Sequence, residues 1–138
     1  KPNRTFTTIP SDNREWTRYL QGMFYARETT MTLLGCTTEP EAIARYTVSA
    51  GIVCLCIPAL SGTSNDTLCF LNGLPDEILP ERDQTCIARI IDNGVTAMGL
   101  VHIGTDTGVT LYKDLDGNAF TGSGTKGTNY SIIVYPLD

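Results

Sequence analysis

The sequence predicts an all-β fold, a β-sandwich or jelly roll, preceded by an extended N-terminal arm and one amphipathic helix. Threonine is unusually abundant, with 20 copies among 138 residues, and its branched Cβ favours extended backbone. From residue 29 onward, short apolar runs alternate with turn-forming residues at regular spacing, which is typical of sandwich folds. The predicted organisation is an arm and helix for attachment over residues 1–28 and a β domain over residues 29–138.

The N-terminal segment combines an extended start with one helical pattern. Pro2 and Pro10 disfavour a helix in the first ten residues. Asp12 with Glu15 then forms a capping arrangement, and a helix is predicted over residues 12–27. Its apolar stripe packs either on its own β domain or on another subunit. With one apolar residue of the arm, this stripe forms a candidate interface: Phe6, Trp16, Tyr19, Leu20, Met23 and Phe24.

Eight apolar runs of the β domain are predicted to be strands. Asn-Gly and Asp-Gly steps between several of them favour tight hairpins. Residues 52–57 are apolar at every position and predict a central strand, and residues 131–135 predict a strand buried within a sheet or within a subunit contact. The eight runs cover residues 29–37, 44–50, 51–57, 67–71, 85–92, 97–103, 109–113 and 130–135.

Charge and composition exclude several classes of function. The net charge of −5 argues against a dedicated nucleic-acid-binding protein and against a polybasic membrane anchor. No apolar stretch has the length of a membrane span, and the first residues lack the apolar core of a secretory signal. The odd count of five cysteines, together with the missing signal, predicts assembly in a reducing cytosol.

Catalytic chemistry has one candidate centre, His102. It is the single histidine of the chain and falls within a predicted strand, where packing and a hydrogen bond account for it. A serine nucleophile would need a G-x-S-x-G elbow, which the sequence lacks. A cysteine paired with His102 stays open, because spatial proximity is not visible in a sequence. We therefore predict that the chain is not an enzyme.

Metal and cofactor signals are weak. Cys54 and Cys56 share one face of a strand, but their spacing fits neither a zinc site nor a C-x-x-C redox pair. Residues 114–118 begin like a calcium loop yet misplace its glycine, so a hairpin turn is predicted, with an opportunistic cation site left open. Residues 122–128 are glycine-rich with a lysine, but no helix follows, which predicts a flexible loop rather than a phosphate-binding one. No cofactor and no metal are expected.

Three carboxylates in one proline-bounded segment raise the possibility of glycosidase chemistry. Paired carboxylates can serve as acid and base in glycoside hydrolysis. Here they lie between Pro75 and Pro80 or just beyond, with no further supporting residue. Solvated loop charges are the prediction for Asp76, Glu77 and Glu81.

Several loop motifs, taken in order, resemble those of small virion proteins of tailed bacteriophages. They are Cys-Thr-Thr at residues 36–38, Ile-Pro-Ala-Leu-Ser-Gly-Thr-Ser-Asn at 57–65, Leu-Asn-Gly-Leu-Pro-Asp-Glu-Ile-Leu-Pro at 71–80, Asp-Asn-Gly-Val at 92–95 and Phe-Thr-Gly-Ser-Gly-Thr-Lys-Gly at 120–127. The resemblance covers roughly residues 36–135. The extended N-terminus followed by a helix with a tryptophan also resembles these proteins.

The resemblance implies a structural role in a phage particle that is assembled in the host bacterial cytoplasm. In one version the chain is a capsid cement or decoration protein, a dimer or trimer bound to the major capsid protein over joints of its lattice. In the other it is a tail-fibre or receptor-binding module that recognises a host surface glycan. Because the chain has no long shaft of repeats, the cement version is favoured. Exposed aromatics would serve a glycan site, and the candidates are Tyr112, Tyr130 and Tyr135.

Overall fold

The computed structural model describes residues 26–106 and 108–138, and all regular structure within them is extended apart from one short 3-10 turn, Asp76–Ile78. Each of the eight predicted runs overlaps a strand, although the run over residues 67–71 shares only its last two residues with β5. Two further strands, β4 and β9, fall where the sequence predicted loops. The strands are β1 Arg27–Leu34, β2 Glu41–Ser49, β3 Ile52–Ile57, β4 Leu60–Thr63, β5 Phe70–Asn72, β6 Gln84–Asp92, β7 Val95–Ile103, β8 Val109–Tyr112, β9 Thr125–Thr128 and β10 Ser131–Pro136.

The ten strands form a single antiparallel sheet in the order β10-β3-β2-β1-β5-β8-β7-β6-β9-β4. The sheet curls, so that β10 at one end meets β6 near the other. The backbone N–H of Arg89 in β6 donates to the Ser131 hydroxyl at 2.9 Å, and the Cys86 thiol donates to the Val134 carbonyl at 3.7 Å. The all-β class is confirmed, but the structure is one curled sheet rather than two stacked ones, and a jelly roll is not established.

The core lies inside the curl. Alternate residues of each strand point inward because successive side chains of a strand face opposite sides. In β3 these are Val53, Leu55 and Ile57, and in β10 Ile133 and Tyr135, all of which are buried. The Tyr135 hydroxyl donates to the Ile78 carbonyl at 2.7 Å, so this polar atom is satisfied inside the core.

Strands β4 and β9 correct the prediction of a flexible loop over residues 122–128. The two strands pair with each other from Leu60 opposite Thr128 to Thr63 opposite Thr125. Lys126 in β9 is fully buried, where the loop prediction would have placed it in solvent. Glycine permits the close pairing, because a Cβ at Gly127 would lie 1.9 Å from the Leu60 carbonyl oxygen.

The predicted helix over residues 12–27 falls outside the described residues except at its end. There the structure differs from the prediction, because Arg27 already begins β1 and pairs with Tyr46 of β2. The candidate interface also lies outside the described residues, so it stays a prediction in full: Phe6, Trp16, Tyr19, Leu20, Met23 and Phe24.

Candidate protein-binding site

The outer surface of β3 and β10 is apolar and open to solvent. In β10, Ile132 and Val134 point outward and are 67% and 58% exposed. Each lies opposite a cysteine of β3 in the ladder, Ile132 opposite Cys56 and Val134 opposite Cys54. Side chains directly opposite each other on one face of a sheet are in contact distance. Two strands therefore present a continuous apolar surface to the solvent.

A groove of about 450 Å³ lies at one end of this surface. It is lined by Cys56, Ile57, Tyr130, Ser131 and Ile132. Tyr130 stands just before β10 and is 80% exposed. An aromatic ring beside an apolar groove is a typical anchor of a protein contact.

The apolar surface continues onto β6 and β7. Ile87 and Met98 are exposed on these strands, and β6 lies directly beside β10 through the hydrogen bonds of Arg89 and Cys86. Arg89 is exposed and stands opposite Met98 in the ladder. We call the outward apolar residues of these strands the outer apolar face: Ile52, Cys54 and Cys56 of β3, Ile87 of β6, Met98 of β7, Tyr130, and Ile132 and Val134 of β10.

The sequence pattern predicted the apolar composition of β3 and β10 but not the exposure of their outer sides. Strand β3 does lie between two neighbours, as predicted, yet its second apolar side faces solvent rather than a second layer. For β10, burial of the whole strand within a sheet is wrong, since its alternate residues are exposed. The other sequence-based interpretation, a subunit contact, stays a prediction.

The three tyrosines predicted for a glycan site are not brought together. Tyr135 is only 2% exposed and is part of the core. Tyr112 lies on β8 opposite Leu100 of β7, and β7 and β6 separate β8 from β10 in the curl. Of the three, Tyr130 stands farthest into solvent, and it belongs to the outer apolar face.

His102 is not assembled with a cysteine nucleophile. It is partly exposed on the outside of β7, and its Nε2 lies 3.7 Å from Asp83 Oδ2, beyond hydrogen-bond distance. Cys86 on the neighbouring strand pairs with Val101, one position away from the Thr85–His102 pair, so its side chain points to the opposite side of the sheet. Cys54 and Cys56 are on β3, which β10 and β6 separate from β7.

The five cysteines all lie in described residues, and each is a free thiol. Cys69 is buried, and this burial raises the pKa of its thiol to about 12. Burial also raises the pKa values of Cys36 and Cys86. Buried thiols of this kind act as small apolar side chains. Cys54 and Cys56 are half-buried on the outer apolar face.

The segment 114–118 forms a turn but not the predicted hairpin, because β8 before it and β9 after it do not pair with each other. Asp114 Oδ1 accepts hydrogen bonds from the backbone N–H groups of Asp116 and Asn118, and Oδ2 accepts one from the Asn118 side-chain amide at 2.8 Å. These hydrogen bonds lower the pKa of the Asp114 carboxyl, and the bond from the Asn118 side-chain amide has the largest effect. The carboxylate thus caps its own turn. Over the described residues, no three His, Cys, Asp or Glu side chains are grouped as metal ligands.

Glu77 is exposed, as predicted for a solvated charge, and it also contacts neighbouring side chains. The Tyr46 hydroxyl and the Arg27 guanidinium each donate to one of its carboxylate oxygens. These hydrogen bonds, that of Tyr46 first, lower the pKa of Glu77. The cluster ties the 3-10 turn to the beginning of β1. The adjacent Asp76 and Glu81 are exposed, as predicted.

A second cavity of about 340 Å³ lies beside the 3-10 turn. Apolar residues, among them Phe70 and Leu71, form part of its wall, and Asp76 and Asp106 stand at it. Titratable groups do not cluster in it beyond these two carboxylates. The outer apolar face is therefore the more distinctive surface of the described chain.

Comparisons with known proteins assign no family. No protein-family model matches the sequence, and no curated protein matches it. Among solved structures, the chain is similar to the reovirus attachment protein sigma1, crystallised in complex with alpha-2,3-sialyllactose, at a TM-score of 0.47 and 14% identity. The match covers 81% of this chain and 66% of that chain. At such values the likeness transfers neither a function nor a binding site.

Within residues 26–106 and 108–138, no helix is long and apolar enough to cross a membrane.

Proposed function

We propose that this chain is a non-enzymatic structural protein of a phage particle, which binds neighbouring subunits as a capsid cement or decoration protein. The observation that carries the proposal is the outer apolar face. Contiguous exposed apolar surface on a soluble domain marks a site of protein contact, because water contact with such a surface is unfavourable. The sequence resemblance to phage virion proteins directs the proposal to a virion.

The partners in this proposal are the major capsid protein and further copies of the chain. Burial and geometry suffice for such a role, and weak contacts repeated over a symmetric shell add up because each further contact becomes effectively intramolecular. The N-terminal aromatic residues, Trp16 and Phe24 above all, supply the attachment to a partner. No cofactor, nucleic acid or membrane takes part in the proposed role.

A receptor-binding module for a host glycan is the second candidate, and Tyr130 is the observation that favours it. Its ring is 80% exposed, and exposed aromatic rings stack on sugars in many binding sites. Because Tyr135 is buried in the core, a glycan site would have fewer exposed aromatic residues than the sequence predicted. A glycan array that compares the wild type with Tyr130→Ala tests this candidate. The candidate is refuted if the wild type binds no glycan or if Tyr130→Ala binds as well as the wild type.

The cement proposal is tested by incorporation into particles. A Trp16→Ala/Phe24→Ala double variant is expected to stay soluble and folded, as far-UV circular dichroism would verify, but to be lost from purified particles. Leu115→Glu, a change at an exposed apolar residue in the 114–118 turn, is the control and should be incorporated normally. Normal occupancy of the double variant would show that the N-terminal stripe is not the anchor.

A further inference from the structure

We propose that the outer apolar face is the docking site of the chain's own N-terminal segment, residues 1–25. This contact belongs to the free chain, before any particle is assembled, and so goes beyond the proposed function. Four features of the molecule support it: the small number of charges on the face, the composition of the segment, the point at which the segment joins the sheet, and the length of the tether.

The outer apolar face carries few charges on a domain that is strongly acidic. Residues 26–138 contain six Lys or Arg and thirteen Asp or Glu, for a net charge of −7. The four strands that form the face, β3, β6, β7 and β10, contain only Arg89 and Asp92 from this group. The Asp92 carboxylate accepts hydrogen bonds from the backbone N–H and the hydroxyl of Thr121. The face is therefore suited to an apolar partner.

Carboxylates stand at the rim of this face, beyond the end of β10. Asp138 follows β10 and is exposed. Glu81 is also exposed, and its backbone N–H donates to the Leu137 carbonyl at 2.6 Å. A partner with apolar side chains and a few cations would match both the face and its rim.

Residues 1–25 have this composition. Of the eleven aromatic residues of the chain (one Trp, six Tyr and four Phe), five fall within this segment, although it is less than a fifth of the length. The segment contains four Lys or Arg and two Asp or Glu, for a net charge of +2. Its aromatic side chains match the apolar face, and its cations match the acidic rim. The five aromatic residues are Phe6, Trp16, Tyr19, Phe24 and Tyr25.

The segment joins the sheet level with the middle of the face. From Arg27 at the start of β1, the ladder runs across β2 and β3 to Ile133 of β10. Ile133 stands between Ile132 and Val134, which both point outward. The tether therefore begins three strand spacings from the apolar side chains of β10, about 14 Å along the sheet.

The tether is long enough for the segment to cover the face of its own domain. Trp16 precedes Arg27 by eleven residues. Eleven residues span about 16 Å at the rise of an α-helix and about 37 Å when extended. Both lengths exceed the distance to β10, so Trp16 and the residues before it can reach the face.

The tether also distinguishes the chain's own domain from that of a second copy. A neighbouring copy offers the same apolar face and the same charges, so composition and charge do not separate the two. A tethered segment that reaches its site has an effective concentration there on the order of millimolar. At micromolar concentrations of the chain, docking on its own domain is therefore favoured by about a hundredfold or more.

Docking of the segment gives the free chain a means of protecting its apolar face. The segment covers Ile132, Val134 and the groove beside Tyr130, which keeps two free chains from associating through these residues. In the proposed role, neighbouring subunits displace the segment from the face, and this frees its aromatic residues for a partner.

The fluorescence of Trp16 tests the contact, because Trp16 is the single tryptophan of the chain. In the wild type its emission is expected to be blue-shifted from that of the urea-unfolded chain and shielded from acrylamide. Ile132→Glu and Val134→Glu each place a charge on the face at an exposed position and are expected to remove the shielding. Leu115→Glu, at an exposed apolar residue of the 114–118 turn, is the control and should retain it.

Alkylation of the thiols locates the segment independently. Cys54 and Cys56 lie on the face and are only half-buried by the described residues. Iodoacetamide, with the products identified by mass spectrometry, is expected to modify them several-fold more slowly in the wild type than in Trp16→Ala/Phe24→Ala. Cys69, which is buried in the core, should stay unreactive in both chains and so confirms that the variant is folded.

Dilution over the micromolar range separates the chain's own segment from that of a second copy. The wild type is expected to sediment as a monomer, with the same shielding of Trp16 at every concentration. The inference is overturned if Trp16 is as accessible as in the unfolded chain, or if its shielding survives both glutamate variants. It is also overturned if the shielding is lost on dilution as an oligomer dissociates, since a second copy is then the occupant. Particle incorporation tests the proposed function alone, so the two proposals can fail independently.

Discussion

The carboxylate of Glu77 is held by two donors on neighbouring strands, Tyr46 of β2 and Arg27 of β1, which lie opposite each other in the ladder. The turn that carries it lies far from both in sequence. The sequence shows that Pro75 and Pro80 bound a loop with carboxylates in it. It does not show which hydrogen-bond donors the fold brings to the carboxylate of Glu77. For this reason the sequence predicted the exposure of Asp76, Glu77 and Glu81 correctly but not the hydrogen bonds of Glu77.

The lowered pKa of Glu77 predicts a pH-dependent contribution to stability. A carboxyl whose pKa is lowered in the folded state stabilises the fold at a pH above its ordinary pKa of about 4.5. This contribution is lost as the pH falls through the lowered pKa of the folded state. Glu77→Gln is therefore expected to lower the free energy of unfolding at neutral pH, with a difference from the wild type that shrinks below pH 4.5. Urea unfolding at several pH values measures it.

Glu81→Gln is the matched control for this prediction, because Glu81 is exposed in the same region. It should show little difference from the wild type at either pH. A Glu77→Gln variant whose deficit is the same at acidic and neutral pH would contradict the assignment of the effect to the ionised carboxylate.

At the scale of elements, the alternation of apolar residues and turn residues predicted strands wherever the runs were long enough to be read. Strands β6 and β7, for example, were found to within two residues at each end. Strands β4 and β9 were missed because they are four residues long and rich in Gly, Ser and Thr, a composition that turns share. Their formation depends on pairing with each other, which is not a local property.

The buried amine of Lys126 fixes β9 to the segment before β5. Its Nζ donates to the carbonyl oxygens of Asp66 and Leu68, each at 2.8 Å, and lies 5.8 Å from the centroid of the Phe120 ring. Charge-assisted hydrogen bonds of this kind are stronger than neutral ones. The ammonium group thus gives β9 a fixed position that its small residues alone do not.

Lys126→Met is expected to lower the free energy of unfolding by about 2 kcal/mol, because the carbonyl groups of Asp66 and Leu68 both lose the Lys126 donor. Chemical denaturation followed by circular dichroism measures the change. Lys113→Met, at a partly exposed lysine, is the control and should change stability much less. A Lys126→Met variant as stable as the wild type would show that the ammonium hydrogen bonds only offset the cost of burying the charge.

For the whole molecule, the sequence predicted the all-β class but not the way in which the sheet is arranged. A curled single sheet and two stacked sheets use the same alternation of side chains, and they differ only in which strands meet. The contact of β10 with β6, made through Ser131 and Arg89, joins residues 42 positions apart, and no local pattern encodes it.

The outer apolar face follows from the same curl. The curl buries one side of β3 and β10 in the core, and the other side, with Ile132 and Val134, faces solvent. What covers them is the central question for the function of the molecule. The proposed answer is neighbouring subunits in a particle.

The most direct measurement is the number of copies of this chain per purified phage particle, by quantitative mass spectrometry against the major capsid protein. A cement protein that covers the lattice is expected at about one copy per copy of the major capsid protein, because a symmetric lattice repeats the same binding site on its subunits. A few copies to a few dozen would instead place the chain on the tail. Absence of the chain from purified particles would contradict the virion role altogether.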